Sequence, residues 1–506
     1  MSNDHPLLLA LDQGTTGSTA LVMDAAGRTI GRKNVEFTQH FPRPGWVEHE
    51  PEDIWNSVVE ATAGALSEAG VEGDRIAAIG VTNQRETTLI WDRANGKCIH
   101  RAIVWQDRRT SERCATLRAA GHQRITKERT GLVLDPYFSG TKVAWILDHV
   151  AGARKRAEAG ELAFGTVDSF LVHRLSGGKV HVTDVTNASR TLLMNLESLQ
   201  WDPDMLGLIG VPREVLPKIV PSAGRIAQTC DFPGLPDGVP ISGIAGDQQS
   251  ALFGQACFGV GDVKCTYGTG AFVLVNIGDK PVASQFGLLT TVAWQIGDDV
   301  AYALEGSAFI AGAAVQWLRD GLGLIEKASD IEALAASVES SDGVYFVPAL
   351  AGLGAPYWDA EARGTICGLT RGTTAAHLAR ATLDGVVHQV TDLLDSMAED
   401  LGQPLKRMRV DGGAAANDLL MKEQARVASV DVERPHDLET TARGAAMLAA
   451  LGAGIFPDKA SVGKMSPIER IFEAPADEDA DATAAREASR AGWKNAIART
   501  VSSATN

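Results

Sequence analysis

LLLALDQGTTGSTALVMD, running from Leu7 to Asp24, places two apolar β-forming runs on either side of a Gly-Thr turn. About 250 residues further on, Asp262 to Val275 reads DVKCTYGTGAFVLV, with Gly268-Thr269-Gly270 standing where Gly14-Thr15-Thr16 stands in the first copy. Two such segments predict a duplicated domain. Small residues in a tight turn let the backbone approach a ligand, and consecutive N–H groups there form a concavity that suits a phosphate oxygen. One turn alone says little. Two turns facing each other across a cleft would hold a triphosphate from both sides, which a simple hairpin has no reason to do.

At 506 residues the chain is too long for one core and long enough for two. Its hydrophobic content of 45% with 22% charged residues is that of an ordinary globular protein. The net charge of −16, with no basic stripe, argues against nucleic acid as a partner and favours small neutral substrates. Leu7 to Leu11 is too short for a signal-peptide core, and no apolar run reaches the ~18 residues of a membrane span, so no membrane insertion is expected. Cys98, Cys114, Cys230, Cys257, Cys265 and Cys367 form no C-x-x-C pair, which indicates neither zinc nor a disulfide framework and points to a reducing cytoplasm.

Along the chain, a third strand is expected at Thr29 to Phe37 and a helix from Glu52 to Leu66. The second half repeats the order, with strands at Leu288 to Trp294 and Ala301 to Leu304 and a helix over Ser307 to Leu318. Between the halves, Ile241-Ser-Gly-Ile-Ala-Gly-Asp-Gln-Gln leads from a short strand into a helix at Ser250 to Gly254, which places a boundary near Gln255. Met408 to Val410 reads as a strand stopping at Asp411-Gly412-Gly413, followed by a helix over Ala414 to Val427. A glycine turn feeding a helix is a third ligand site in prospect. The stretch from Ala474 to Arg490 reads as a surface segment before a last amphipathic helix around Trp493. The sequence has no G-x-x-x-x-G-K-[ST], no H-R-D, no D-F-G and no G-x-G-x-x-G. Any phosphates must therefore be held by the Gly-Thr turns.

Six segments converge: Asp12-Gln13-Gly14-Thr15-Thr16, Asn83-Gln84-Arg85-Glu86-Thr87, Gly246-Asp247-Gln248-Gln249, Tyr267-Gly268-Thr269-Gly270, Gly352-Leu353-Gly354-Ala355-Pro356-Tyr357-Trp358 and Asp411-Gly412-Gly413. Together they resemble the FGGY carbohydrate kinases over Leu7 to Leu451, in particular the members that act on glycerol. The resemblance implies an α/β protein with the actin-like ATPase fold, two RNase H-like domains with mixed sheets flanked by helices and a cleft between them. Residues 1–255 would form the domain for polyol and phosphate, and 256–506 the nucleotide domain. The implied reaction is ATP-dependent phosphorylation of glycerol to sn-glycerol 3-phosphate, with Mg²⁺ as cofactor, in a cytoplasmic homodimer or homotetramer.

The same resemblance assigns roles. Asp247, at a strand-to-loop junction, matches the general base; taken without the other motifs it reads rather as a helix N-cap. A carboxylate is a weak base, yet a loose phosphoryl-transfer transition state needs the alcohol proton removed only late, so orientation matters more than basicity. Arg85 and Glu86 match a clamp on the polyol hydroxyls, one donor and one acceptor. Adjacent residues on a regular strand face opposite ways, so both reach one ligand only if the strand ends or bulges there. Trp105, Tyr137 and Phe272 match the remaining polyol contacts, although any one aromatic alone reads as core. Gln248 is a polar neighbour of the base. Asp12 matches the carboxylate that holds Mg²⁺ through water, with a turn-stabilising aspartate as the alternative. Thr15, Thr16 and Gly17 on one side and Thr269 on the other would contact phosphates. Gly312, Gln316, Gly413 and Asn417 would line the adenosine.

Two departures stand out. Many members of the family continue the first turn as Gly-Thr-Thr-Ser-Ser-Arg, whereas here Gly17 replaces the first serine and Thr19 the arginine, which removes a cation near the phosphates. Rival readings are a relative acting on another polyol or a ketopentose, and a non-catalytic ATP-binding regulator or actin-like assembly module. Asp247 counts against the last, because ATP binding alone needs no base facing a polyol.

Overall fold

Leu7–Gln13 forms strand β1 and Gly17–Asp24 forms β2, an antiparallel pair closed by the first turn, where the Gly14 N–H donates to the Gly17 carbonyl at 2.8 Å. β1 is buried on both faces, which is why it reads as an unbroken apolar run. β3 (Thr29–Glu36) pairs antiparallel with β2, and helix α1 (Pro51–Ala69) packs over both. α1 has proline and two acids in its first turn and ends at Gly70 in the left-handed conformation. On the other side of β1 lies β4 (Ile76–Asn83), parallel to it. β5 (Ala223–Gln228) pairs antiparallel with β6 (Pro240–Gly246), which runs parallel to β4 and passes directly into helix α2 (Asp247–Gly254).

The computed structural model describes residues 6–475 and 480–502, and its second half repeats this plan. β7 (Asp262–Tyr267) and β8 (Ala271–Gly278) are antiparallel around the second turn. β9 (Leu289–Ile296) and β10 (Asp299–Ala308) follow, β10 lying beside β8. Next come helices α3 (Gly312–Asp320) and α4 (Ala375–Leu401), strand β11 (Arg407–Asp411), helix α5 (Asp418–Ala428), strand β12 (Val432–Pro435), helix α6 (Thr440–Gly452), strand β13 (Ile468–Phe472) and helix α7 (Ala480–Thr500). All these strands make one mixed sheet in the order β13-β12-β11-β7-β8-β10-β9-β5-β6-β4-β1-β2-β3. In each half a central strand, β1 or β7, has an antiparallel hairpin partner on one side and two successive parallel strands on the other, β4 and β6 or β11 and β12. The halves meet in the sheet at one bridge, Ala223 to Ile296.

α6 belongs to the second half of the chain but lies on β1, β4, β6 and α2 of the first. Glycines make that approach possible. A Cβ on Gly444 would stand 1.8 Å from the Ser250 carbonyl oxygen, and one on Gly80 2.1 Å from that of Ala445. The Ser250 hydroxyl donates to the Thr441 carbonyl at 2.7 Å, so α6 grips the helix whose first residue is Asp247.

Several boundaries differ from the sequence reading. The helix expected from Ser307 begins at Gly312, because Ser307 and Ala308 still pair with Phe272 and Ala271 in the sheet. The carbonyls of Gly268 and Thr269 then take the N–H groups of Ala311, Gly312 and Ala313, which fixes where the helix can start. The helix expected over Ala414 to Val427 is a 3₁₀ turn, Gly413–Ala416, followed by α5, with Asn417 in extended backbone between them. The helix expected at Ser250 starts earlier, at Asp247. Part of the stretch expected as irregular surface, residues 476–479, lies outside the described residues. From Ala480 it is already α7, anchored where the buried Trp493 indole donates to Asp392 at 2.7 Å. Among the described residues no helix is long and apolar enough to cross a membrane.

Candidate active site

β4 stops at Asn83, and the chain turns sharply at Glu86, whose φ of 61° is left-handed. The strand therefore ends before Arg85 and Glu86, the condition under which both side chains reach one site. Arg85 is almost fully buried. Its Nη1 and Nη2 donate to Oε2 and Oε1 of Glu305, at 2.6 and 2.9 Å, and Nη1 also donates to Gln249 Oε1 at 3.2 Å. The other edge of the guanidinium faces Asp247, with Nε 3.1 Å from Oδ1, and Tyr137, whose hydroxyl lies 3.5 Å from Nη2. Glu86 Oε1 accepts from Arg190 Nε at 2.7 Å, and Arg190 Nη2 donates to Glu305 Oε1 at 3.0 Å. Burial works against the charge on Arg85, yet Glu305 and Glu86 hold its pKa well above the usual value. Burial would raise the Glu305 carboxyl, but Arg190 and Arg85 together bring it down to about 2. Glu86 is the opposite case, with burial outweighing its two arginines and lifting its pKa.

Asp247 is the first residue of α2, is about a third exposed with its side chain at 31%, and accepts from the Gln248 N–H at 2.7 Å. The cap position is Gly246, and the Asp247 carboxylate takes that one first-turn N–H and faces the Arg85 edge. Trp105 and Tyr137 meet edge to face, ring centroids 5.6 Å apart. The Trp105 indole N–H donates to Thr15 Oγ1 at 2.9 Å, tying the aromatic wall to the first turn and leaving the Thr15 hydroxyl proton free to donate. Phe272, half-buried on β8, is linked to Gln248 through Lys264. That buried ammonium donates to Gln248 Oε1, to Thr266 Oγ1 at 2.8 Å and to the Phe272 carbonyl at 3.4 Å. Burial lowers the Lys264 pKa, and nearby Asp411, Asp247 and Glu305 act the other way.

Asp12 lies one residue before the end of β1. Burial, and then the charges of Asp247 and Glu439, push its pKa up to about 8. Asp247 is paired with Arg85 and Glu439 with Arg32, whereas no ion pair is formed by Asp12 among the described residues, and a hard divalent ion, whose preferred ligands are oxygens, would relieve the cost of its burial. Thr16 is exposed at the tip of the turn. Gly17 is a steric requirement: a Cβ there would stand 2.7 Å from the Val35 carbonyl oxygen on β3. Thr19 accepts from Asn34 Nδ2 at 2.9 Å, so it is turned along the sheet.

A separate cavity of about 420 Å³ opens in the second half, and Thr269, Gly312, Gln316, Gly413 and Asn417 all line it. Apolar Val315, Ile331, Leu383 and Leu420 form much of the rest, a surface suited to a flat aromatic base. Asn417 Oδ1 accepts from the Leu420 N–H at 2.8 Å as the cap of α5, which leaves its amide N–H₂ for a ligand. A Cβ on Gly413 would meet no atom within 4 Å, so its bare backbone is open to the cavity.

The sequence reading thus collected two groups that the structure also collects, and missed the charges between them. Glu305, Arg190, Lys264 and Gln249 are buried and central. The signal for Glu305 and Lys264 was a lone charge inside an apolar strand, Ala303-Leu304-Glu305-Gly306 and Val263-Lys264-Cys265, where an unpaired ion would be costly.

Residues 7–254 match the model of the N-terminal domain of the FGGY family of carbohydrate kinases, and residues 263–453 that of its C-terminal domain. A glycerol kinase of Alkalilimnicola ehrlichii is 58% identical over 448 residues, 88% of this chain and 90% of its own length. That of Myxococcus xanthus is 54% identical over 494 residues, 97% of this chain and 99% of its own. Among solved structures, the Plasmodium falciparum glycerol kinase with ADP matches with a TM-score of 0.91 and 34% identity over 98% of this chain and 99% of that one. A gluconate kinase of Lactobacillus acidophilus, 21% identical with a TM-score of 0.87 over 99% of both chains, shares the fold. The architecture is the two-domain, actin-like ATPase type.

Proposed function

The chain belongs to the FGGY family of carbohydrate kinases, and from that premise we infer that it transfers the terminal phosphoryl group of ATP to glycerol, giving sn-glycerol 3-phosphate. The observation that carries the residue assignment is the meeting of Asp247, the Nε/Nη2 edge of Arg85 and the Tyr137 hydroxyl beside the Trp105 ring. Glycerol would set its carbon skeleton on Trp105 and Phe272. Its hydroxyls would exchange hydrogen bonds with Arg85, Glu86 and Tyr137, and the reacting hydroxyl would point at Asp247. Asp247 accepts that proton as the O–P bond forms, and Gln248, fixed by Lys264, keeps the neighbouring polar surface in place. Thr15, Thr16 and Gly17 hold phosphate oxygens from the first turn and Thr269 from the second, while Gly312, Gln316, Gly413 and Asn417 hold the adenosine. Asp12 is the residue we assign to Mg²⁺, whose charge when bound offsets that of the phosphates. Residues 1–255 supply the polyol side and 256–506 the nucleotide side, α6 crossing back to brace α2. A cytoplasmic location and a homodimer or homotetramer complete the reading, and light scattering of the purified protein would test the latter.

The test is coupled ADP release with Mg-ATP and glycerol, dihydroxyacetone, erythritol or xylulose, comparing wild type with Asp247→Ala and repeating the assay with Mg²⁺ chelated. Glycerol-dependent turnover should fall by about 10²–10⁴-fold in the variant and vanish without Mg²⁺. Turnover with another polyol alone would reassign the substrate. A fully active variant would remove Asp247 as base, and full activity without divalent ions would remove Asp12 from its role.

A further inference from the structure

Glu305 stands on β10 in the second half of the chain and reaches residues of the first. Its carboxylate takes the Nη1/Nη2 end of Arg85 in a bidentate pair, and Oε1 also accepts from Arg190. The consequence is geometric. With that end of the guanidinium occupied, and one more Nη1 proton on Gln249, the donors left over are those of the Nε/Nη2 edge. That edge faces Asp247 and Tyr137. Arg190, held by the same carboxylate, meets Glu86 with its Nε. One buried glutamate therefore sets the orientation of two of the residues assigned to the polyol hydroxyls, Arg85 directly and Glu86 through Arg190.

We propose that Glu305 is a positioning residue for the polyol substrate, acting through Arg85, and that it thereby contributes to substrate specificity. The proposal rests on the glycerol reading above. A buried cluster of four charges is a weak stabilising device, since desolvation offsets most of the attraction, so its distinctive yield is a fixed guanidinium orientation. A glutamine at this position would accept from one guanidinium nitrogen and turn an N–H₂ toward another donor, freeing Arg85 to rotate. Shape would be kept and orientation lost.

The experiment measures KM for glycerol and for ATP in wild type, Glu305→Gln, Glu305→Asp, Arg85→Lys and the Glu305→Gln/Arg85→Lys double variant. Glu305→Gln should raise the glycerol KM at least tenfold while the ATP KM stays within twofold, and in the Arg85→Lys background the same change should alter the glycerol KM less than twofold. If Glu305→Gln is too unstable to assay, Glu305→Asp keeps the charge on a shorter stem and should raise the glycerol KM at least threefold, again sparing ATP. An unchanged glycerol KM, equal rises for both substrates, or an undiminished effect in the Arg85→Lys background would each overturn the proposal. A wild type active on glycerol beside such variants overturns the proposal alone. A wild type with no glycerol-dependent ADP release overturns the functional reading and this proposal together.

Discussion

Glu86 holds a left-handed backbone that costs a non-glycine residue roughly 1–2 kcal/mol, and the surroundings fix it there. Its carbonyl accepts from the Ser139 hydroxyl at 3.1 Å and from the buried Lys142 ammonium at 3.3 Å, while its carboxylate is tied to Arg190. The turn is what lets two consecutive side chains serve one ligand. Gly413 shows the same economy at the cavity proposed for the nucleotide, where the missing side chain leaves the backbone open. Because a Cβ there meets nothing within 4 Å, Gly413→Val should fold normally and fill cavity space instead. The ATP KM should then rise about tenfold, equivalent to about 1.4 kcal/mol, with the glycerol KM and melting temperature unchanged. A raised glycerol KM of similar size would show that Gly413 does not belong to a nucleotide site. Residues carried by local motifs, such as Asp247 in Gly246-Asp247-Gln248-Gln249, were legible in sequence. Arg190 was not, and for Glu305 only its lone charge in an apolar strand was, because what defines their roles is an ion pair between positions far apart in the chain and on different halves.

At the scale of elements, the grip of α6 on α2 decides where Asp247 stands. Gly444→Ala opposes two effects. Alanine is better than glycine inside a helix by about 1 kcal/mol, but its Cβ would lie 1.8 Å from the Ser250 carbonyl oxygen, a clash that side-chain motion cannot relieve because both atoms are fixed to backbone. A backbone clash this close belongs at the upper end of the overpacking range, about 2–3 kcal/mol, so the clash wins. Urea unfolding should show a net loss of about 1–2 kcal/mol and the assay a reduced kcat, since α2 carries Asp247, the proposed base. Unchanged stability and rate would mean that the two helices are not in rigid contact. The strand-turn-strand units were legible because their apolar runs are long and their turns are marked by glycine. The start of α3 was not, because it is set by tertiary partners, the carbonyls of the second turn, whereas α5 starts at a local signal that the reading passed over, the Asn417 cap. The position of α6 on the opposite half was also invisible, since nothing local in Thr440 to Gly452 says which sheet it will cover.

In the whole molecule, the groups assigned to the two substrates sit mainly on different halves, yet they are not mechanically separate. Arg85, Glu86, Trp105, Tyr137 and Asp247 come from the first half, and the lining of the nucleotide cavity comes from the second. Connections that join them include the bridge between β5 and β9, the reach of Glu305 to Arg85 and Arg190, the bonds from Lys264 to Gln248 and from Gln249 to Thr291, and α6 lying on the first half. A sheet continuous through one bridge is a soft joint, whereas the ion cluster and α6 resist its bending only when both halves are in register. A ligand that fixes the halves in one arrangement lowers the ordering cost for the other ligand, which is positive coupling. Calorimetry should therefore find that glycerol binds at least about fivefold tighter to protein saturated with Mg-ADP, a coupling of about 1 kcal/mol, and that ADP binds tighter by the same factor in saturating glycerol. Both titrations are needed, because linkage requires the two factors to agree. Equal glycerol affinities with and without Mg-ADP would mean that the halves are already rigid in the free protein. In that case the charges between them serve orientation at the polyol alone, and water is excluded by the shape of the open site and not by its closing.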